Sequence, residues 1–93
     1  MALSVTVSLS GALASVAGVT TIQLEAASLS EVLAGLSSRY GGAFSEKLYD
    51  SNGKPRRFIN IYVNGRDYRF LKKLDTELAN KDEVSLIPAV SGG

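Results

Sequence analysis

Residues 28–42 read SLSEVLAGLSSRYGG, and one element accounts for nearly all of them. Ser28 followed by Glu31 fits a capping box, in which each side chain satisfies an orphan backbone N–H at a helix start. Leu29, Val32, Leu33, Leu36 and Tyr40 then recur at helical spacing, so they form one apolar stripe. Gly41-Gly42 supplies the stop, because glycine enters the left-handed conformation that ends a helix without a Cβ penalty. The stripe is expected to pack into a core.

Working outward, Leu3, Val5, Val7 and Leu9 alternate with Ser4, Thr6 and Ser8, which predicts a strand with one buried face. The opening residues MALSVTVSLSGALASVAG also contain small residues resembling a leader cleavage site. They lack a basic n-region and a solid apolar h-region, so a first strand is expected there instead. Ser10 to Gly18 is small and Gly-bounded and reads as a turn or short loop. Thr20, Ile22 and Leu24 alternate with Thr21, Gln23 and Glu25, giving a second strand and an N-terminal hairpin.

Downstream of the helix, Phe44 to Leu48 reads as a short helical turn before YDSNGKP, a loop of turn formers. RFINIYVNG is β-branched and aromatic and ends in Asn64-Gly65, the strongest short-range hairpin signal. Tyr68 to Leu71 is expected as the returning strand. Leu74 and Leu78 suggest a short helical or turn segment, and Lys81-Asp82-Glu83 turns into a last strand, Val84 to Pro88. The order is β-β-α-β-β-β. One main helix on one face of a mixed sheet of about five strands is the economical two-layer solution. The expected class is therefore α+β, a ubiquitin-like β-grasp, as a single domain over 1–93 with a flexible tail over about 89–93.

Composition narrows the chemistry. The 93 residues suit one modest core, burying roughly 60–65% of the unfolded surface. There is no cysteine and no histidine. Disulfide frameworks, Cys or His zinc sites, and Ser-His-Asp or Cys-His nucleophiles are excluded. The nine Asp and Glu are scattered without an EF-hand-like loop, so no metal site is expected. No apolar run approaches the roughly 20 residues that span a bilayer, so no membrane partner is expected. A cysteine-free chain of this size suits the cytoplasm.

The distinctive remaining feature is the ending, DEVSLIPAVSGG. Through Asp82, Glu83, Val84, Ile87, Pro88, Val90, Gly92 and Gly93 it resembles the MoaD/ThiS family of ubiquitin-like sulfur carriers, in which a strand leads into a free Gly-Gly. RFINIYVNGRDYRF and the preceding LYDSNGKP loop are similar to the CysO-type, cysteine-synthesis branch of that family. The resemblance implies a carrier that is a substrate, not an enzyme, and holds no permanent cofactor. A ubiquitin-activating-type adenylyltransferase/sulfurtransferase would use ATP to adenylate the Gly93 carboxylate, and a sulfur donor would convert it to a thiocarboxylate. A cysteine synthase would then receive the sulfur. The alternatives are a MoaD-like subunit serving a molybdopterin synthase large subunit, and a ubiquitin-like modifier. The residue chemistry is compatible with all three. Gly92 and Gly93 lack Cβ atoms and can thread a narrow channel, with Ser91 part of the reach.

Parity along the strands suggests where a partner grips. Ile59, Ile61 and Val63 form an aliphatic side for the helix, while Phe58, Asn60 and Tyr62 face away. With the last strand beside them, Phe58, Tyr62 and Ile87 would form an exposed apolar patch, the kind of surface that marks an interface. A covering loop, or a register slip by one residue, would remove it. Charge is uneven: Lys54, Arg56, Arg57, Arg66, Arg69, Lys72 and Lys73 crowd one stretch opposed there only by Asp67, while the net charge is just +1. Without an RNP, KH or helix-turn-helix signature no nucleic acid is expected. The stripe reads as a solvated rim or as a means of steering an acidic partner.

Overall fold

The structure, a computed structural model, describes residues 3–89. The period-two segment at the start forms strand β1 (Ser4–Leu9), with Val5, Val7 and Leu9 buried and the serines and threonine between them partly exposed. It pairs antiparallel with β2 (Thr21–Glu25) and parallel with β5 (Glu83–Pro88). β3 (Ile59–Val63) pairs antiparallel with β5 and with the two-residue β4 (Arg66–Asp67). The sheet order is β2-β1-β5-β3-β4, the mixed five-stranded sheet expected of a β-grasp. Asn64 and Gly65 both take positive φ, 51° and 84°, so the β3–β4 turn has the backbone that an Asn-Gly pair favours.

The main helix, α2, runs Leu29–Tyr40. Ser28 Oγ accepts the Glu31 N–H at 3.2 Å, and Glu31 Oε1 accepts the N–H of Ala27 at 2.9 Å, so the box closes one residue upstream of its usual partner. Leu29, Val32, Leu33 and Leu36 are buried against the sheet residues Ile59, Ile61, Val84 and Leu86. Replacing Ser28 with Ala strands the Glu31 N–H and should cost about 0.5–2 kcal/mol, read as a lower urea midpoint with an unchanged slope. An unchanged midpoint would show that the cap carries no stability here.

Two local expectations are corrected. Ser10 to Gly18 is no loop: Gly11–Ala17 forms a helix, α1, that ends where Gly18 adopts φ 79° and donates to the Ala14 carbonyl at 2.8 Å. Its alanines favour helix, and Leu13 at 0% exposure supplies the burial that stabilises so short an element. Nor do Tyr68 to Leu71 form a strand. The returning strand stops at Asp67, whose Oδ1 accepts the Arg69 N–H at 2.9 Å and turns Tyr68–Phe70 into a 3₁₀ helix. Tyr68 and Leu71 pack on the core from that turn. A second 3₁₀ turn, Lys73–Asp75, follows, with Leu78 buried beyond it. The Phe44 to Leu48 turn is a full helix, α3 (Gly42–Leu48), which packs on both α1 and α2.

Candidate functional site

The site is built around the end of β5. This strand lies between β1 and β3, so its course is fixed by ladders on both sides. Ala89 N–H donates to the Phe58 carbonyl at 2.7 Å and Asn64 N–H to the Glu83 carbonyl at 2.8 Å. Residues 83, 85, 87 and 89 therefore turn their backbone polar groups toward β3, and Pro88 turns its own toward the β1 side. β1's pairing with β5 ends at Leu9 opposite Leu86, so the missing N–H of Pro88 forfeits no ladder bond. Proline at this position stiffens the last residue of the strand without weakening the sheet. The N-terminal end of α1 sits over it: a Cβ on Gly11 would lie 3.5 Å from Pro88 Cγ. On the helix side Pro88 also borders a groove of about 520 Å³ shared with Ala12, Lys47 and Arg56.

The side chains on the sheet's other face follow the expected parity. Ile59, Ile61 and Val63 are buried, whereas Phe58 is 46% and Ile87 43% exposed. Tyr62 is half-buried. Ile87 sits opposite Asn60 in the register and Ser85 opposite Tyr62, so Ile87 lies on the same face as Tyr62, one step along the strands. The register thus sets Tyr62 and Ile87 on one face near the root of the tail, while Phe58, in the turn just before β3, also borders the helix-side groove beside Pro88. The tail residues named for chemistry, Ser91, Gly92 and Gly93, lie outside the described residues.

Arg69 joins this surface. Arg69 reaches back from the 3₁₀ turn, donating to Asn60 Oδ1 at 3.2 Å and to the Asp67 carboxylate at 2.8 and 3.1 Å. The Arg69 side chain, then its backbone N–H, holds the Asp67 carboxyl below its ordinary value of 3.8. The pair therefore persists at neutral pH, and protonation releases it only as pH falls through that lowered folded-state value. Phe70, on the same turn, is 87% exposed. Strand parity does not disclose the Arg69 contacts, because it continues the segment as a strand. The Asp67-x-Arg69 spacing, an Asx-turn signal, was the available clue. Among the described residues there is no cluster of acidic side chains able to hold a metal ion, and no helix is long and apolar enough to cross a membrane.

A five-stranded mixed sheet crossed by one main helix, with an exposed apolar face beside the last strand, defines a ubiquitin-like protein of the β-grasp class. The chain belongs to the ThiS family, which matches residues 7–93. It is 48% identical over 67 residues to the sulfur carrier protein CysO of Mycobacterium tuberculosis, covering 70% of this chain and 71% of that one. The crystal structure of that CysO superposes with a TM-score of 0.80 at 39% identity, over 92% of this chain and 99% of the other. A putative sulfur carrier of Archaeoglobus fulgidus is 39% identical over 72 residues, 77% of this chain and 81% of its own. The small archaeal modifier protein 1 of Methanosarcina acetivorans superposes with a TM-score of 0.88 at 29% identity, over 100% and 99% of the two chains. These relatives are carriers and modifiers, and the chain is a protein of that kind rather than a catalyst.

Proposed function

We propose that the chain carries sulfur on the carboxylate of Gly93 and delivers it in cysteine biosynthesis. The observation that supports this most is the 48% identity to a protein named as a CysO sulfur carrier. Attack of the Gly93 carboxylate on the α-phosphate of ATP, within a ubiquitin-activating-type enzyme, expels pyrophosphate and leaves an acyl-adenylate. A sulfur donor then displaces AMP and leaves a thiocarboxylate. The chain itself holds no cofactor. Its single domain, working in the cytoplasm, contributes a stiff strand up to Pro88, a sheet bond at Ala89, and two glycines without side chains at positions 92 and 93. Phe58, Tyr62 and Ile87 are the surface that the activating enzyme, and then a cysteine synthase, covers.

Intact mass after co-expression with the host's activating enzyme tests this: replacement of one terminal oxygen by sulfur is the expected result, and an unchanged mass would sink it. The likeness to a small archaeal modifier protein favours one second reading, conjugation of Gly93 to lysines of other proteins. A ladder of larger conjugates in the same experiment would select it. Transfer to a molybdopterin synthase large subunit is separated from the cysteine route by which partner is captured on the loaded chain.

A further inference from the structure

The premature stop of β4 has a chemical consequence. β4 pairs only with Tyr62 and Val63, so among the described residues no strand flanks Ile59 and Ile61 on that side. A hollow of about 450 Å³ opens there, lined by Pro55, Arg56, Arg57, Phe58, Ile59, Tyr68 and Arg69. Three of these seven residues are arginines, and none is acidic.

Two of the three guanidiniums are fixed in place. Arg56 Nε donates to the Glu46 carbonyl at 2.8 Å, which leaves its terminal nitrogens unused by that bond. Arg69 is tied down by Asp67 and Asn60. Arg57 is exposed and makes no side-chain hydrogen bond among the described residues. Two carboxylates lie near the three cations, and both already have partners: Arg69 occupies Asp67, and Asp50, on the far side of Arg56, accepts the backbone N–H groups of Asn52 and Lys54 at 2.9 and 3.1 Å. Planar guanidiniums held in fixed directions suit carboxylates, which they bind through paired N–H donors, and pre-fixing them lowers the ordering cost of binding.

We propose that this hollow is a docking site for acidic side chains, a pair of Asp or Glu residues, on the activating enzyme that engages the tail. This rests on the carrier reading of the chain. Phe58 belongs to both surfaces: it lines the hollow, and its carbonyl holds Ala89 at the root of the tail. A protein that takes the tail therefore covers the hollow as well. The charge is local, because the whole chain carries only +1. Its field fades over a Debye length of about 8 Å at physiological salt, which orients a partner already near the patch. A second copy of the chain is disfavoured as occupant, since a two-fold contact would set arginines against arginines.

The test measures sulfur loading by the host's activating enzyme as carrier concentration rises, at about 50 and about 300 mM salt. Arg57→Glu should raise KM about tenfold or more at the lower salt with kcat unchanged, and the gap should narrow at the higher salt. Arg57→Gln should fall between. Phe58→Ala should raise KM alike at both salts, because it removes apolar contact rather than charge. Binding of the chain to the same enzyme without ATP is measured in parallel. A wild-type chain that binds but never gains sulfur defeats the carrier reading alone. Binding and KM of Arg57→Glu within twofold of wild type at both salts would overturn the hollow. Saturation by inorganic phosphate or a short oligothymidylate that Arg57→Glu abolishes, with loading unaffected, would overturn it in favour of a phosphate ligand.

Discussion

A chain lacking Gly93 is expected to lose sulfur loading by more than about a hundredfold while melting as the full-length chain does. The two halves of this outcome have separate causes. Among the described residues the buried core runs from Val5 to Leu86, and the backbone bond nearest the C-terminus is made by Ala89. Removing a residue four positions further on leaves all of those contacts in place. The reacting carboxylate moves to Gly92, about 3.3–3.6 Å short of its position in the intact chain. Displacements of even 1 Å cost about a hundredfold in reactions that depend on held geometry, so a carboxylate one residue short does not meet the α-phosphate. Intact mass with the activating enzyme reads the first half and a thermal melt the second. Undiminished sulfur uptake by the shortened chain would remove Gly93 from the mechanism.

The parts of the fold that could be read from sequence are those with a strict period and enough length. Five apolar residues at helical spacing, framed by Ser28 and Gly41, leave α2 little alternative, and the alternation in β1, β3 and β5 fixes which faces are buried. The shared face of Tyr62 and Ile87 also followed, since parity assigns each to a face and the β-grasp order makes the strands neighbours. α1 escaped because Ser10, Gly11 and Gly18 are turn formers by composition. Only the tertiary burial of Leu13 turns the alanines between them into a helix. The end of β4 escaped because Tyr68 and Phe70 favour strands, whereas the local bond from Asp67 to the Arg69 N–H prevails over that tendency. The hollow with three arginines was hidden for the same reason. Arg56 and Arg57 precede β3, but Arg69 reaches them only through a turn that strand propensity does not suggest.

Phe44→Ala is expected to do the reverse of the tail deletion, lowering stability by about 3–5 kcal/mol while leaving each folded molecule competent to be loaded. Phe44 is 0% exposed, and its ring centroid lies 5.5 Å from that of Tyr40 at a 36° tilt, so it joins α3 to the C-terminal end of α2. α3 also packs on α1, whose first residue lies over Pro88. The cavity left by a phenyl ring cannot collapse without moving all three helices, which places the expected cost in the upper range for core truncations. A domain of this size has roughly 5–14 kcal/mol in total, so the variant should melt more than about 10 °C lower. Phe44→Leu, which refills much of the volume, should recover most of the loss. Loading is then measured well below the lowered midpoint. Normal loading in Phe44→Ala beside its loss without Gly93 separates the helix layer, which holds the sheet in shape, from the tail, which carries the chemistry. A parallel loss in folded Phe44→Ala would instead mean that the α1–α3 layer acts on the tail through Pro88, and the helices would then belong to the site.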